Sequence, residues 1–149
     1  MIEIQLGDVG KTIQLAIAPV FLLTGVCTNL IVLTNRLARI IDRSRSLEES
    51  YHTVSEQVQL ERRAELESLY IRAHLINRAV TLSTSCALLV CLVIASLFVG
   101  DALHLTLAKV IAAFFVIAML ALIGSFVYLL REIFIATRTL SMRSFISKQ

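Results

Sequence analysis

Whatever chemistry this chain performs must come from a few polar side chains set in apolar sequence. Asn29 lies seven residues before Arg36, Ser85 seven after Arg78, and Ser125 six before Arg131. Each arginine closes a stretch free of charged residues, and at 1.5 Å per residue the polar groups sit about 10 Å inside it. Thr28, Thr34 and Asn35 accompany the first, Thr81, Ser83 and Thr84 the second, and Gly124 and Tyr128 the third, while the outer half is nearly all apolar, with Thr24 and Ser96 the main exceptions. Amides and hydroxyls so placed hydrogen-bond one helix to another, at about 0.6 to 2 kcal/mol each, or line a watery path for an ion. An asparagine against hydrocarbon is costly, so Asn29 is expected to face protein or water.

Other chemistries find little support. His52, His74 and His104 are scattered along the chain, and no Gly-rich phosphate loop or Ser/His/Asp arrangement occurs. The three uncharged stretches contain no Asp or Glu, which argues against intramembrane acid catalysis and against a carboxylate proton relay. Cys27, Cys86 and Cys91 all lie in these stretches, and the five-residue step from Cys86 to Cys91 puts the two on different helix faces. No metal site, cofactor, disulfide framework or enzymatic activity is expected. Basic residues are interleaved with acids, so no nucleic-acid surface is expected either.

The elements that must position the polar set are the uncharged stretches themselves: Thr12–Asn35, Ala79–Gly100 and Val110–Leu130. A transmembrane helix needs about 20 mostly apolar residues to cover about 30 Å of hydrocarbon. The chain is 57% hydrophobic over 149 residues, with a mean hydropathy of +0.81. This predicts one all-α polytopic membrane domain with spans at about 12–35, 79–100 and 107–130, and little material for a soluble catalytic domain. Glu3 and Asp8 precede Lys11 without a basic leader, so a cleaved signal peptide is not expected. Arginines crowd the 36–78 segment, and Arg131, Arg138, Arg143 and Lys148 follow the third span, leaving Lys11 and Lys109 opposite. The bias predicts an outside N-terminus, a cytoplasmic 36–78 segment and a cytoplasmic 131–149 tail.

Asp8 and Thr12 are candidate caps for the first helix, and Pro19 predicts a mild kink. No Gly or Pro follows Asn35 until well past Ser50, so the first helix is expected to continue into the cytoplasm, with Leu37, Ile40, Ile41, Ser44 and Leu47 on one fairly apolar face. A break is expected at Ser50–His52, and Thr53 with Glu56 fits a capping box. Leu66, Leu69, Ala73, Ile76 and Val80 then step by three and four, a coiled-coil-like spacing, into the second span. The 36–78 segment thus reads as a cytoplasmic antiparallel helical hairpin, with Glu56, Glu61, Glu65 and Glu67 available to the arginines of the first arm. Arg36, Arg39, Asp42 and Arg43 are its candidate interaction residues, toward a protein partner or anionic headgroups. Thr24, Thr28, Asn35, Arg39 and Asp42 also form one stripe of the first helix.

The runs Ile17-Ala18-Pro19-Val20-Phe21-Leu22-Leu23-Thr24-Gly25 and Leu33-Thr34-Asn35-Arg36-Leu37-Ala38-Arg39-Ile40-Ile41-Asp42-Arg43 resemble a bacterial family of small membrane proteins known as a domain of unknown function. The resemblance covers about Thr12 to Leu140 and implies a bacterial inner-membrane protein of three spans, without implying an activity or ligand. At Cys27-Thr28-Asn29 the chain carries larger or more polar residues than the resemblance implies. In layout alone the chain is similar to the proton-channel subunits of bacterial energy-transducing complexes, which implies association of several copies. Three spans are too few to enclose a polar path. The expectation is therefore a homo-oligomer in the lipid bilayer, an ion channel or ion-pathway subunit with a cytoplasm-facing vestibule lined by Thr24, Thr28, Asn29, Asn35, Thr81, Thr84, Ser85 and Ser125. The competing expectation is a non-conducting scaffold or assembly factor whose hairpin docks a partner.

Overall fold

The computed structural model describes residues 2–49, 56–103 and 107–146, with side chains over 10–49, 58–60, 62–103 and 107–137. These residues form three long helices: α1, Ile2–Glu49; α2, Glu56–Ala102; and α3, Ala108–Ile146. Each contains one expected span and continues beyond it. By length and composition, Gly10–Glu49, Val58–Ala102 and Ala108–Thr137 are each long and apolar enough to cross a membrane. Good helix formers fill the charged parts of α1 and α2, with neither Gly nor Pro among them, so nothing stops either helix where the hydrocarbon ends. The cap expected at Asp8 or Thr12 is not used, because α1 begins at Ile2 and carries both inside it. A capping residue permits a helix start without forcing one, and Ile2–Leu6 extend the helix upstream. The Thr53 capping box, the expected break at Ser50–His52, His104 and Lys148 lie outside the described residues.

Burial along each helix steps by sevens, two helical turns. Val26, Leu33, Ile40 and Leu47 form the line on α1, and Leu69, Ile76, Ser83 and Val90 that on α2. On α3 the line is Ala118, Ser125 and Glu132. Seven residues fall about 20° short of two full turns, so a buried line holds one face over several steps. Opposite faces expose Phe21, Ile31, Leu88 and Leu120. Large apolar side chains turned outward are what a helix presents to lipid.

The helices contribute to two compact units. The first comprises Met1–Leu30 and Leu82–Gly124. Its core is Val26, Cys86, Val90 and Ala118, with Leu22, Leu30, Leu89 and Leu122 packed around it. At Gly124 α3 comes close to α2: an added Cβ would stand 3.1 Å from Leu82 Cδ1. That contact is with the tip of a flexible side chain, so Gly124→Ala is expected to be nearly neutral. Gly124→Leu should destabilise the purified protein by about 1 to 3 kcal/mol through overpacking. Thermal unfolding followed by circular dichroism checks both; a neutral Gly124→Leu would show that α2 and α3 are not closely packed there.

The second unit comprises Ile31–Thr81 and Ser125–Gln149. Leu33, Ile40, Leu47, Leu69, Ile76 and Ala79 form its core, with Leu37, Leu66, Ala73 and Val80 packed against them. Thus α2 residues expected from their spacing to share a face do so. Arg36 and Arg72 meet at one carboxylate, while Arg43, seven residues further along α1, meets Glu65, seven back along α2. These two arms are antiparallel, as the hairpin reading requires. Ile41, assigned from the spacing to the apolar face, is instead 45% exposed.

Candidate functional site

Glu132 is the third residue of the buried line on α3, two turns beyond Ser125, and its relative exposure is 0%. No helix can bury a carboxylate this way unless its neighbours supply charge and donors. Arg72 of α2 does so through Nε and Nη2, which donate to Oε1 at 2.9 and 2.8 Å. Arg36 of α1 donates through Nη1 to Oε2. Both carboxylate oxygens therefore accept charge-assisted bonds, the strong kind. The arginine side chains themselves stay 32% and 24% exposed.

One residue from each helix enters this triad, so it reports the register of all three. Ser125 lies seven residues before Glu132 on α3, and its hydroxyl donates to the Ala79 carbonyl at 2.8 Å, seven residues beyond Arg72 on α2. Shifting α3 by one residue would turn both Ser125 and Glu132 away from their partners. Outside the triad, Arg43 donates to Glu65 Oε1 from Nε and Nη2 at 3.0 and 2.9 Å. The Arg43 side chain is 52% exposed, and such a pair contributes about 0 to 1 kcal/mol. Arg39 and Asp42 are exposed.

The polar set divides into two groups. In the first unit, buried Asn29 donates from Nδ2 to Ser83 Oγ at 3.2 Å, joining α1 to α2. Ser125 is likewise buried and bonded. The hydroxyls of Thr24, Thr28 and Thr81 turn back to their own helices, donating to the carbonyls of Val20, Thr24 and Asn77 at 3.3, 3.0 and 2.9 Å. All three threonines are exposed, as are Asn35 and Thr84, while Ser85 is half-buried. Asn29 meets Ser83 rather than Ser85 because Ser83 continues the line of Leu69 and Ile76, and two residues further on a helix points elsewhere. Within one chain, then, Asn29 and Ser125 bind helices together, while the exposed threonines and Asn35 face outward.

Sequence reasoning missed Glu132 and the role of Arg72. Glu132 follows Arg131, where a charge is expected merely to mark the end of a span. The signal was available: two turns on from Ser125, itself a candidate, lands on Glu132.

A family model described as protein of unknown function (DUF2721) matches residues 16–142. The chain belongs to that family. The matched stretch runs from α1 to α3 and contains Asn29, Ser83, Ser125 and the Arg36–Glu132–Arg72 triad. No curated protein and no solved structure matches the chain.

Proposed function

We propose that this DUF2721 protein is a homo-oligomeric bacterial inner-membrane protein in which copies of α1 meet through the Thr24, Thr28 and Asn35 face and surround an ion pathway open to the cytoplasm. The observation that carries this reading is the exposure of those three residues on a helix apolar enough to span a membrane. By helical spacing they fall on one stripe with Arg39 and Asp42. A carboxamide turned to hydrocarbon gains nothing, whereas across copies it gains hydrogen bonds, and the threonine oxygens, which already donate within α1, can still accept a bond or solvate a passing ion. The orientation proposed, N-terminus outside and C-terminus cytoplasmic, rests on the arginine-rich segment between the first two spans. Full-length protein in liposomes is expected to pass monovalent ions above protein-free controls in a fluorescence flux assay. Flux equal to those controls would remove the conduction reading.

A second reading has its own observation. On the hairpin, Leu60 and Tyr70 are 65% and 78% exposed and Ile71 is 48% exposed, on an arm held by Arg43–Glu65 and Arg72–Glu132. An arm with outward apolar groups suits a non-conducting scaffold that docks a partner protein. Intact oligomers without flux would favour it.

A further inference from the structure

Beside the Arg36–Glu132–Arg72 triad lies a pocket of about 350 Å³ lined by Arg36, Arg39, Arg43 and Arg72, together with Glu132 and the apolar Ile40, Leu69 and Ala136. Four arginines thus line one cavity. Glu132 is committed to Arg36 and Arg72, and Glu65, off the lining, is committed to Arg43. Four cations against these two acids leave an excess of two positive charges. Arg39 has no ion-pair partner among the described residues. Arg36 and Arg72 spend one and two of their five N–H donors on Glu132, so donors remain on both.

We propose that this pocket binds a phosphate group, with Arg39 as its free anchor and Arg36, Arg43 and Arg72 as flanking donors. Planar guanidinium forks match phosphate oxygens two at a time, and the cavity, at about 30 Å³ per water, has room for several waters or for one phosphate. Its position suits a phospholipid headgroup. Arg36 is the first charge after the 12–35 apolar run, and Glu132 is the second after the run ending at Leu130. The pocket therefore opens where hydrocarbon gives way to headgroups, and Ile40, Leu69 and Ala136 give it an apolar wall. Basic pockets between transmembrane helices recognise anionic headgroups in this way. The chemistry is the same for a lipid phosphodiester and for free phosphate.

The test uses full-length protein purified in uncharged detergent and freed of lipid. Its melting temperature and its bound mass by native mass spectrometry are followed against phosphatidylglycerol, phosphatidylcholine and inorganic phosphate in separate titrations. Phosphatidylglycerol is expected to bind and raise the melting temperature, while phosphatidylcholine, whose choline cation is repelled by the same arginines, does not. A shift with inorganic phosphate alone would assign the site to the free anion. Arg39→Gln should melt like the parent without ligand yet bind about tenfold more weakly, the loss of one charge-assisted contact. Arg131→Gln, exposed and off the lining, should bind as the parent does. Should Arg39→Gln fail to fold, Arg39→Lys, which keeps the charge without the fork, carries the same comparison. No shift with either anion, or equal weakening by the Arg39 and Arg131 substitutions, overturns the proposal.

Discussion

Replacing Arg36 and Arg72 together by glutamine is expected to destabilise the protein by at least about 3 to 5 kcal/mol, the usual penalty for stranding a buried charge. Both oxygens of Glu132 depend on these two side chains, and its relative exposure is 0%. Each single substitution leaves one guanidinium in place and should cost less than half as much, so the two are strongly non-additive. Adding Glu132→Leu to the double variant should recover most of the loss, because an apolar residue of similar bulk removes the charge that had been stranded. Thermal unfolding in detergent, read by circular dichroism on the four variants, gives the cycle directly. A double variant within about 0.5 kcal/mol of the parent, the range of an ordinary surface change, would mean that Glu132 is solvated rather than held by arginine.

The second large effect concerns ion flux. Thr28→Val together with Asn35→Leu replaces two polar groups of the α1 stripe by apolar groups of similar size. Both positions are exposed in the single chain, so folding should change by no more than about 0.5 kcal/mol. If α1 lines the pathway, the same substitutions replace polar lining by an apolar surface that water leaves readily. Flux is then expected to fall at least about tenfold, a barrier change of only about 1.4 kcal/mol. Thr81→Val, at an exposed position on α2, provides the comparison and should leave flux within a factor of about two, under about 0.4 kcal/mol. Equal loss from both helices, or loss accompanied by lower thermal stability, would show that the substitutions act on assembly and not on a path.

Much of the architecture was readable because it depends on local terms. The charge-free runs set three spans, and the lack of Gly and Pro beyond Asn35 carries α1 on to Glu49. Steps of three and four from Leu66 to Val80 correctly placed one face of α2 against the core. What was not readable depends on register between helices. Asn29 is expected to face either protein or water, and finding its partner in Ser83 rather than Ser85 requires knowing which α2 line faces α1. Glu132 illustrates the same point: beside Arg131 it resembles a boundary charge, and only the alignment of α3 with α1 and α2 turns it inward between two arginines. The expected caps at Asp8 and Thr12 failed for the opposite reason, since a local start signal does not stop a helix that can begin earlier.

The most direct test of the central proposal, that copies of the chain meet through the α1 stripe, is disulfide trapping in native membranes. In a chain carrying Cys27→Ala, Cys86→Ala and Cys91→Ala, a single Thr28→Cys is oxidised and the product sized by non-reducing gel. Thr28→Cys is expected to give cross-linked dimers. Leu120→Cys, at a position 62% exposed on α3, is expected to remain monomeric. A monomeric Thr28→Cys, or equal cross-linking at both positions, would contradict an interface built on that face of α1.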